Sequence, residues 1–310
     1  MFGILGSGFG LYGYLPAVVG LGLTPVLLPE RYRVKFLARD ELKILEAHIH
    51  WIGSDQALLE SVTTLIISKR PADQYVALPN YLALRQIKKI VLEKPLAPNP
   101  TAALEMLEQV KASGKQCCAG FTFRFTSWAA PLQYRLVNSA NLSKEVWELK
   151  WHFMAHHYSN NLLNWKRQNL QGGGALRYFG IHVIALLAEW GYCHVVSSEV
   201  VSELDGGGYS SWRAIFRGMD LPEFRIEIDS RSTSTFFILQ NKNDSEPFHK
   251  CRNPFDSPAD KVLPAGMDQR CIYLQKILTE VIAPDEPWPR RLLDATNLWT
   301  QVEDCTKITQ

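Results

Sequence analysis

The run Gly3-Ile4-Leu5-Gly6-Ser7-Gly8-Phe9-Gly10-Leu11-Tyr12-Gly13, residues 3–13, decides how the rest of the chain is read. A very short apolar segment meets glycines at once, as a buried parallel strand does where it turns into a helix. The spacing predicts a helix over residues 12–19. Glycines let the backbone approach a pyrophosphate, and the helix N-terminus offers free N–H groups and a positive dipole. Gly6, Gly8, Phe9 and Gly10 are therefore candidate dinucleotide contacts. The third glycine of the usual fingerprint is missing: Leu11 stands there, flanked by Gly10 and Gly13. A glycine-rich turn without a ligand is the bland alternative.

The same region imitates a membrane or export segment, because no charged residue occurs from Met1 to Pro29. No basic residues precede the run, however, and seven glycines together with Pro16 and Pro25 interrupt it. A buried strand, a glycine turn and a buried helix suit that composition better than a spanning helix. The chain is expected neither to span a membrane nor to be exported.

Outward from the glycine run, strands and helices alternate. Strands are predicted at residues 3–5, 33–38 (RVKFLA), 47–52, 64–68, 89–92 and 116–125. Helices are predicted to start at 41 and to cover 55–61, 71–84 and 100–112. This rhythm predicts a doubly wound parallel sheet. After Phe125 long alternating strands take over, at 145–157, 194–204, 211–218, 223–231 and 235–242, joined by short turns such as Gly206-Gly207-Gly208. A helix over 175–190 sits among them, residues 243–265 read as a loop, and 267–282 and 290–305 are closing helices. The fold class is α/β: an N-terminal doubly wound Rossmann domain (1–119) and a C-terminal α+β domain (120–310) with an open, mainly antiparallel sheet.

Composition narrows the functional classes. Of 310 residues 46% are hydrophobic and 21% charged, ample for a buried core. Lys and Arg number 33 against 31 Asp and Glu, a net charge of +2 that asks for no nucleic-acid or membrane partner. Six cysteines without a C-x-x-C spacing read as reduced thiols of a cytoplasmic protein. The pairs His48/His50 and His156/His157 read as strand histidines, and no metal site is expected.

Two further stretches carry chemistry. Arg39 and Asp40 follow the predicted second strand, where an acidic residue selects NAD and an arginine accepts the 2′-phosphate of NADP. Arg39 favours NADP, with NAD as the second choice. Ser68, the last residue of the fourth predicted strand, and Pro71, in the turn after it, are further cofactor candidates. Glu93-Lys94-Pro95 ends the fifth strand at the carboxyl edge, where open α/β sheets bind ligands.

Lys94 in Glu-Lys-Pro, then residues 120–125 (GFTFRF), then Gly172-Gly173-Gly174 through Gly180-Ile181-His182 occur in that order. Together they resemble the Gfo/Idh/MocA oxidoreductases, over residues 3 to about 187. The resemblance implies a nicotinamide cofactor, a carbohydrate-like or polyol substrate and a homodimer or higher homo-oligomer built on the C-terminal sheet. It implies that Lys94 orients the reacting oxygen and that His182 is the general acid/base. It places Arg124, Trp165 and Arg167 among substrate contacts. Where the family has an aspartate, Tyr178 stands, four residues before His182, and the pair is expected on one helix face. Tyr178 is either a substitute proton donor or a packing residue. Its departure also supports a rival reading, a non-catalytic NAD(P)-binding sensor or regulatory protein on the same fold.

Overall fold

The computed structural model describes residues 1–139, 145–203, 207–255, 263–283 and 290–309. Its first half runs β1 (Phe2–Leu5), α1 (Leu15–Gly20), β2 (Val26–Pro29), α2 (Arg33–Leu37), β3 (Ile49–Ile52), α3 (Asp55–Ser61), β4 (Thr64–Ile67), α4 (Pro71–Leu82), β5 (Lys89–Leu92), α5 (Pro100–Ser113) and β6 (Gln116–Ala119). The six strands are all parallel, in the order β3-β2-β1-β4-β5-β6. Every residue of β1, β2 and β4 is buried, which is why these strands read as unbroken apolar runs. Strand order reverses between β1 and β4, so their carboxyl ends form the switch point at which such sheets bind ligands.

One strand lies elsewhere than expected. Residues 33–37 are the helix α2, and the second strand is Val26–Pro29, inside the uncharged N-terminal stretch. A strand would put Val34 and Phe36 on one face; instead Val34 is 78% exposed and Phe36 fully buried. Arg39 therefore does not follow the second strand. Glu30 and Arg31 do. Smaller shifts occur at element ends: Asp40–His48 is 3₁₀-helical, and β6 stops at Ala119 before a 3₁₀ turn at Thr122–Phe125.

The second half contains α6 (Ala129–Val137), β7 (Val146–Met154), α7 (His156–Ser159), α8 (Ile181–Glu189), β8 (Tyr192–Ser202), β9 (Tyr209–Gly218), β10 (Glu223–Asp229), β11 (Arg231–Asn241), β12 (His249–Cys251), α9 (Arg270–Ile282), α10 (Arg290–Cys305) and β13 (Thr306–Thr309). Its sheet has the order β12-β11-β7-β10-β9-β8-β13. The pairs β7/β10 and β8/β13 are parallel and the others antiparallel, so the sheet is mixed with an antiparallel majority. His156 and His157 belong to the turn of helix α7 rather than to a strand. β12 lies within the stretch read as a loop, too short to show a period. Leu204, Gly206 and residues 256–262 of that stretch lie outside the described residues.

Contacts divide the chain into two compact units. The described residues of 1–96, 105–122 and 257–289 form one, and those of 97–104, 123–256 and 290–310 the other. In the first, α9 packs on α1, β5 and β6. In the second, α8 and α10 pack together, and Trp147, Trp212, Phe216, Phe224, Phe237 and Trp299 are fully buried. The opposite sheet face carries Glu148 and Lys150, which pair along β7, and Glu227 of β10, which meets Arg213 of β9 and His152 of β7; Glu148, Lys150, Arg213 and Glu227 line a groove of about 700 Å³. No described helix is long and apolar enough to cross a membrane.

Candidate functional site

In the first unit the glycine turn after β1 is built for close approach. A Cβ on Gly6 would lie 2.1 Å from the Ser68 carbonyl oxygen, and φ there is +150°, so only glycine fits. A Cβ on Gly8 would meet nothing within 4 Å. Gly10 faces Ile4 and Ser68 at 3.0 and 3.4 Å, which is the close helix–strand packing the missing third glycine would otherwise allow. Residues Gly10–Tyr14 form a π-helical turn, with the Leu15 N–H donating to the Gly10 carbonyl. That wider turn absorbs Leu11, which is buried.

Ser68 lies at the switch point beside Gly6 and Gly10. Its hydroxyl is buried and has no hydrogen-bond partner. Open space over Gly8, a backbone that only glycine permits and an orphan hydroxyl together fit a dinucleotide, which would bring the missing acceptors and donors. Pro71, the next candidate, is the first residue of α4.

Cationic groups gather on the β2 side. Lys35 Nζ donates to Ser7 Oγ at 3.0 Å, and the Arg31 guanidinium lies 4.5 Å over the Tyr32 ring. Tyr32 Oη accepts the Gly6 N–H at 3.1 Å, bracing the turn from β2. Arg39 stacks 4.6 Å over Tyr12 and pairs with Glu41 at 3.0 Å. Arg270 stacks 4.3 Å over Phe9 and holds Asp268 at 2.6 Å. Although burial opposes it, that guanidinium keeps the Asp268 carboxyl below the usual carboxylate range. Lys35, Tyr32 and Arg270 escaped the sequence reading. The first two follow a strand that was misplaced, and Arg270 is brought in by a distant helix.

At the end of β5, Lys94 is 6% exposed. The preceding Glu93 accepts from the buried Tyr14 hydroxyl at 2.8 Å. Burial raises the Glu93 carboxyl to about 6, against the pull of Lys94, Tyr14 and Arg270. Gln74 donates its amide to the carbonyls of Glu93 and Leu96, both at 2.8 Å, and accepts the Glu93 N–H at 3.1 Å. The segment bearing Lys94 is thus fixed along its main chain.

In the second unit, His182 is 4% exposed and stacks on Phe123 with centroids 4.8 Å apart and planes 15° apart. Tyr178 is half-buried, edge-on to Trp165 at 5.3 Å, with Lys166 Nζ 5.3 Å over its ring. Residues Ala175–Gly180 are a π-helical turn that runs into α8 at Ile181, so Tyr178 lies in the turn and His182 in the first turn of the helix. Each ring has its own aromatic neighbours. Arg167 is buried, pairs with Glu203 at 2.9 Å and lies over Tyr158. Arg124 pairs with Glu189 at 2.9 Å and lies 4.9 Å over Phe125.

His157, beside this group, is 3% exposed and its Nε2 lacks a partner. Burial first, then Lys166, Arg167 and His156, push its pKa down to about 4. A folded-state value below the ordinary 6.5 means stability that is complete above pH 6.5 and lost as pH falls toward 4, because only the unfolded chain takes up the proton in that window. Urea denaturation at pH 7 and pH 4.5 should show a loss on the order of 2–3 kcal/mol from this group. His157→Gln should reduce the difference by that amount; an unaltered difference would exclude His157 as its source.

No family model and no curated protein matches the chain. Solved structures match it over its full length. The 3-ketoreductase KijD10 from Actinomadura kijaniata, in complex with NADP and TDP-benzene, has a TM-score of 0.71 at 16% identity, covering 99% of this chain and 98% of its own. The WlbA dehydrogenase from Thermus thermophilus, in complex with NAD and UDP-GlcNAcA, has a TM-score of 0.69 at 13% identity over 100% and 96%. An oxidoreductase from Thermotoga maritima scores 0.70 at 16% identity over 98% and 94%. The chain has the fold of these proteins, the α/β arrangement that its motifs implied.

Proposed function

We propose that the chain is an NAD(P)-dependent oxidoreductase acting on CH–OH or C=O groups of a sugar, keto-sugar or polyol-type substrate. The observation that carries this reading is the glycine turn packed on an orphan Ser68 hydroxyl, at the switch point of a fold shared along its whole length with NAD(P)-bound enzymes. Those neighbours were crystallised with nucleotide-linked ligands, which makes a sugar nucleotide the first substrate class to test.

When bound, a nicotinamide supplies the hydride chemistry. The chain's residues bind, orient and move protons. Gly6, Gly8, Phe9, Gly10, Ser68 and Pro71 hold the dinucleotide, and the Glu93–Lys94 segment closes the carboxyl edge. Lys94 orients and polarises the reacting oxygen, and His182, its ring stacked on Phe123, takes or gives its proton. Tyr178, Arg124, Trp165 and Arg167 are proposed to contact or frame the substrate. For Arg167 the ion pair to Glu203 gives that role a structural part as well. Residues 1–119 are read as the dinucleotide-binding domain and 120–310 as the substrate and dimerisation domain, a second copy meeting the open sheet face. A cytoplasmic location belongs to the same proposal, supported by the lack of a disulfide spacing in the sequence.

NADP is the preferred cofactor in this reading, and Lys35 at Ser7 is its first determinant. Arg31 is the second, with Arg39 as the sequence-derived candidate beside them. Lys35→Glu should weaken NADPH binding relative to NADH by about tenfold or more, because a charged hydrogen bond becomes a repulsion. Fluorescence titration of both cofactors with this variant and with Arg39→Asp checks it. An unchanged ratio for Lys35→Glu with a changed ratio for Arg39→Asp would return the role to Arg39. Incubation with NADPH and a panel of keto-sugars and sugar nucleotides tests the activity itself. Tight cofactor binding with no turnover on any of them would favour the sensor reading that Tyr178 suggested.

A further inference from the structure

We propose that Tyr14 is a positioning residue for Lys94, acting through Glu93: its hydroxyl fixes the Glu93 carboxyl group, which in turn holds the Lys94 main chain. The inference rests on the oxidoreductase reading for its consequence but not for its geometry. Tyr14 is fully buried in the π-helical turn, and its hydroxyl donates to Glu93 Oε2 at 2.8 Å. The Glu93 carboxyl also accepts the Lys94 backbone N–H. Room for the pair exists because residue 120 is glycine. A Cβ there would lie 2.6 Å from Tyr14 Oη and 2.7 Å from Glu93 Oε2. Gln74 fixes the Glu93 backbone independently, so the carboxyl group is the one part of this segment that depends on Tyr14 for its direction.

The groups that face Glu93 are Lys94 on its own segment, Tyr14 and Arg270 from α9. Cys118 of β6 adds its influence on Tyr14. Burial raises the carboxyl, and the Tyr14 hydroxyl is one of the contacts that hold it down. Removing that hydroxyl must therefore raise it further. Below the new midpoint Glu93 carries a proton and grips the Lys94 segment less well.

Carboxyl ¹³C NMR of glutamate-labelled, cofactor-free protein reads Glu93 directly, its signal assigned by Glu93→Gln. The midpoint in Tyr14→Phe should rise by about one pH unit. The acid limb of kcat should move up with it, costing roughly tenfold below the new midpoint and little above it, while cofactor affinity stays within about threefold. An unmoved midpoint would overturn the proposal, whatever happened to stability. Should Tyr14→Phe fail to fold, Gly120→Ala wedges the same pair apart and should move the midpoint in the same direction. The two readings separate cleanly. A shifted midpoint in a protein that turns over nothing keeps the Tyr14–Glu93 coupling and removes the oxidoreductase. Normal turnover with an unmoved midpoint does the reverse.

Discussion

Lys94→Ala is expected to lower kcat by about 10²–10⁴-fold while cofactor affinity stays within a few-fold. Lys94 is 6% exposed at the end of a parallel strand, on a segment whose carbonyls and amides Gln74 holds. That arrangement keeps a cation in one place, the property a proton-transfer or polarising group requires. In the proposed reading its contribution belongs to the reacting oxygen, and the pyrophosphate falls to the glycine turn. The loss should therefore appear in kcat more than in KM. Steady-state kinetics with an identified keto-sugar, beside a titration of NADPH, makes the measurement. A variant with the wild-type rate would remove Lys94 from the machinery.

The residues that sequence made legible share one trait: their partners are local or their pattern is short. β5, α3 and α10 follow directly from a short apolar run or an amphipathic period with clear ends. The second strand does not, because Val26–Pro29 merges into the uncharged stretch while 33–38 alternates as a strand would. That single displacement sets Lys35 against Ser7 of the glycine turn and Arg39 against Glu41. Lys94 and His182 stand in short motifs that sequence displays, but the groups packed around them do not. Tyr14 reaches Glu93 across 79 residues and Arg270 arrives from a helix near the end of the chain, so neither leaves a local trace. Leu11, where the glycine fingerprint breaks, and Tyr178, where the resembled motif has an aspartate, both fall in π-helical turns. A pattern read at 3.6 residues per turn gives no sign of the wider turn that buries Leu11.

Arg177→Met is expected to cost the second unit about 3–5 kcal/mol, the usual consequence of breaking a buried ion pair from one side. The guanidinium grips Glu303 of α10 with two bonds, at 2.7 and 3.0 Å, and donates to the carbonyls of Pro98 and Asn169 at 3.0 and 2.8 Å. Only 12% of the Arg177 side chain and 18% of the Glu303 side chain are exposed. Truncation would leave a carboxylate with Trp299 as its remaining side-chain donor and take a donor from the Pro98 carbonyl, while the Asn169 carbonyl keeps the Gly172 N–H. Thermal unfolding should fall by roughly 10 °C. Adding Glu303→Leu should recover part of the loss, because replacing both charges removes the unpaired one that dominates it. Unfolding of the single variant at the wild-type temperature would mean that water already compensates Glu303. The outcome also bears on Tyr178. With Arg177 bound to α10 and two carbonyls, the π-helical turn that carries Tyr178 is held in place by a side chain other than the phenol.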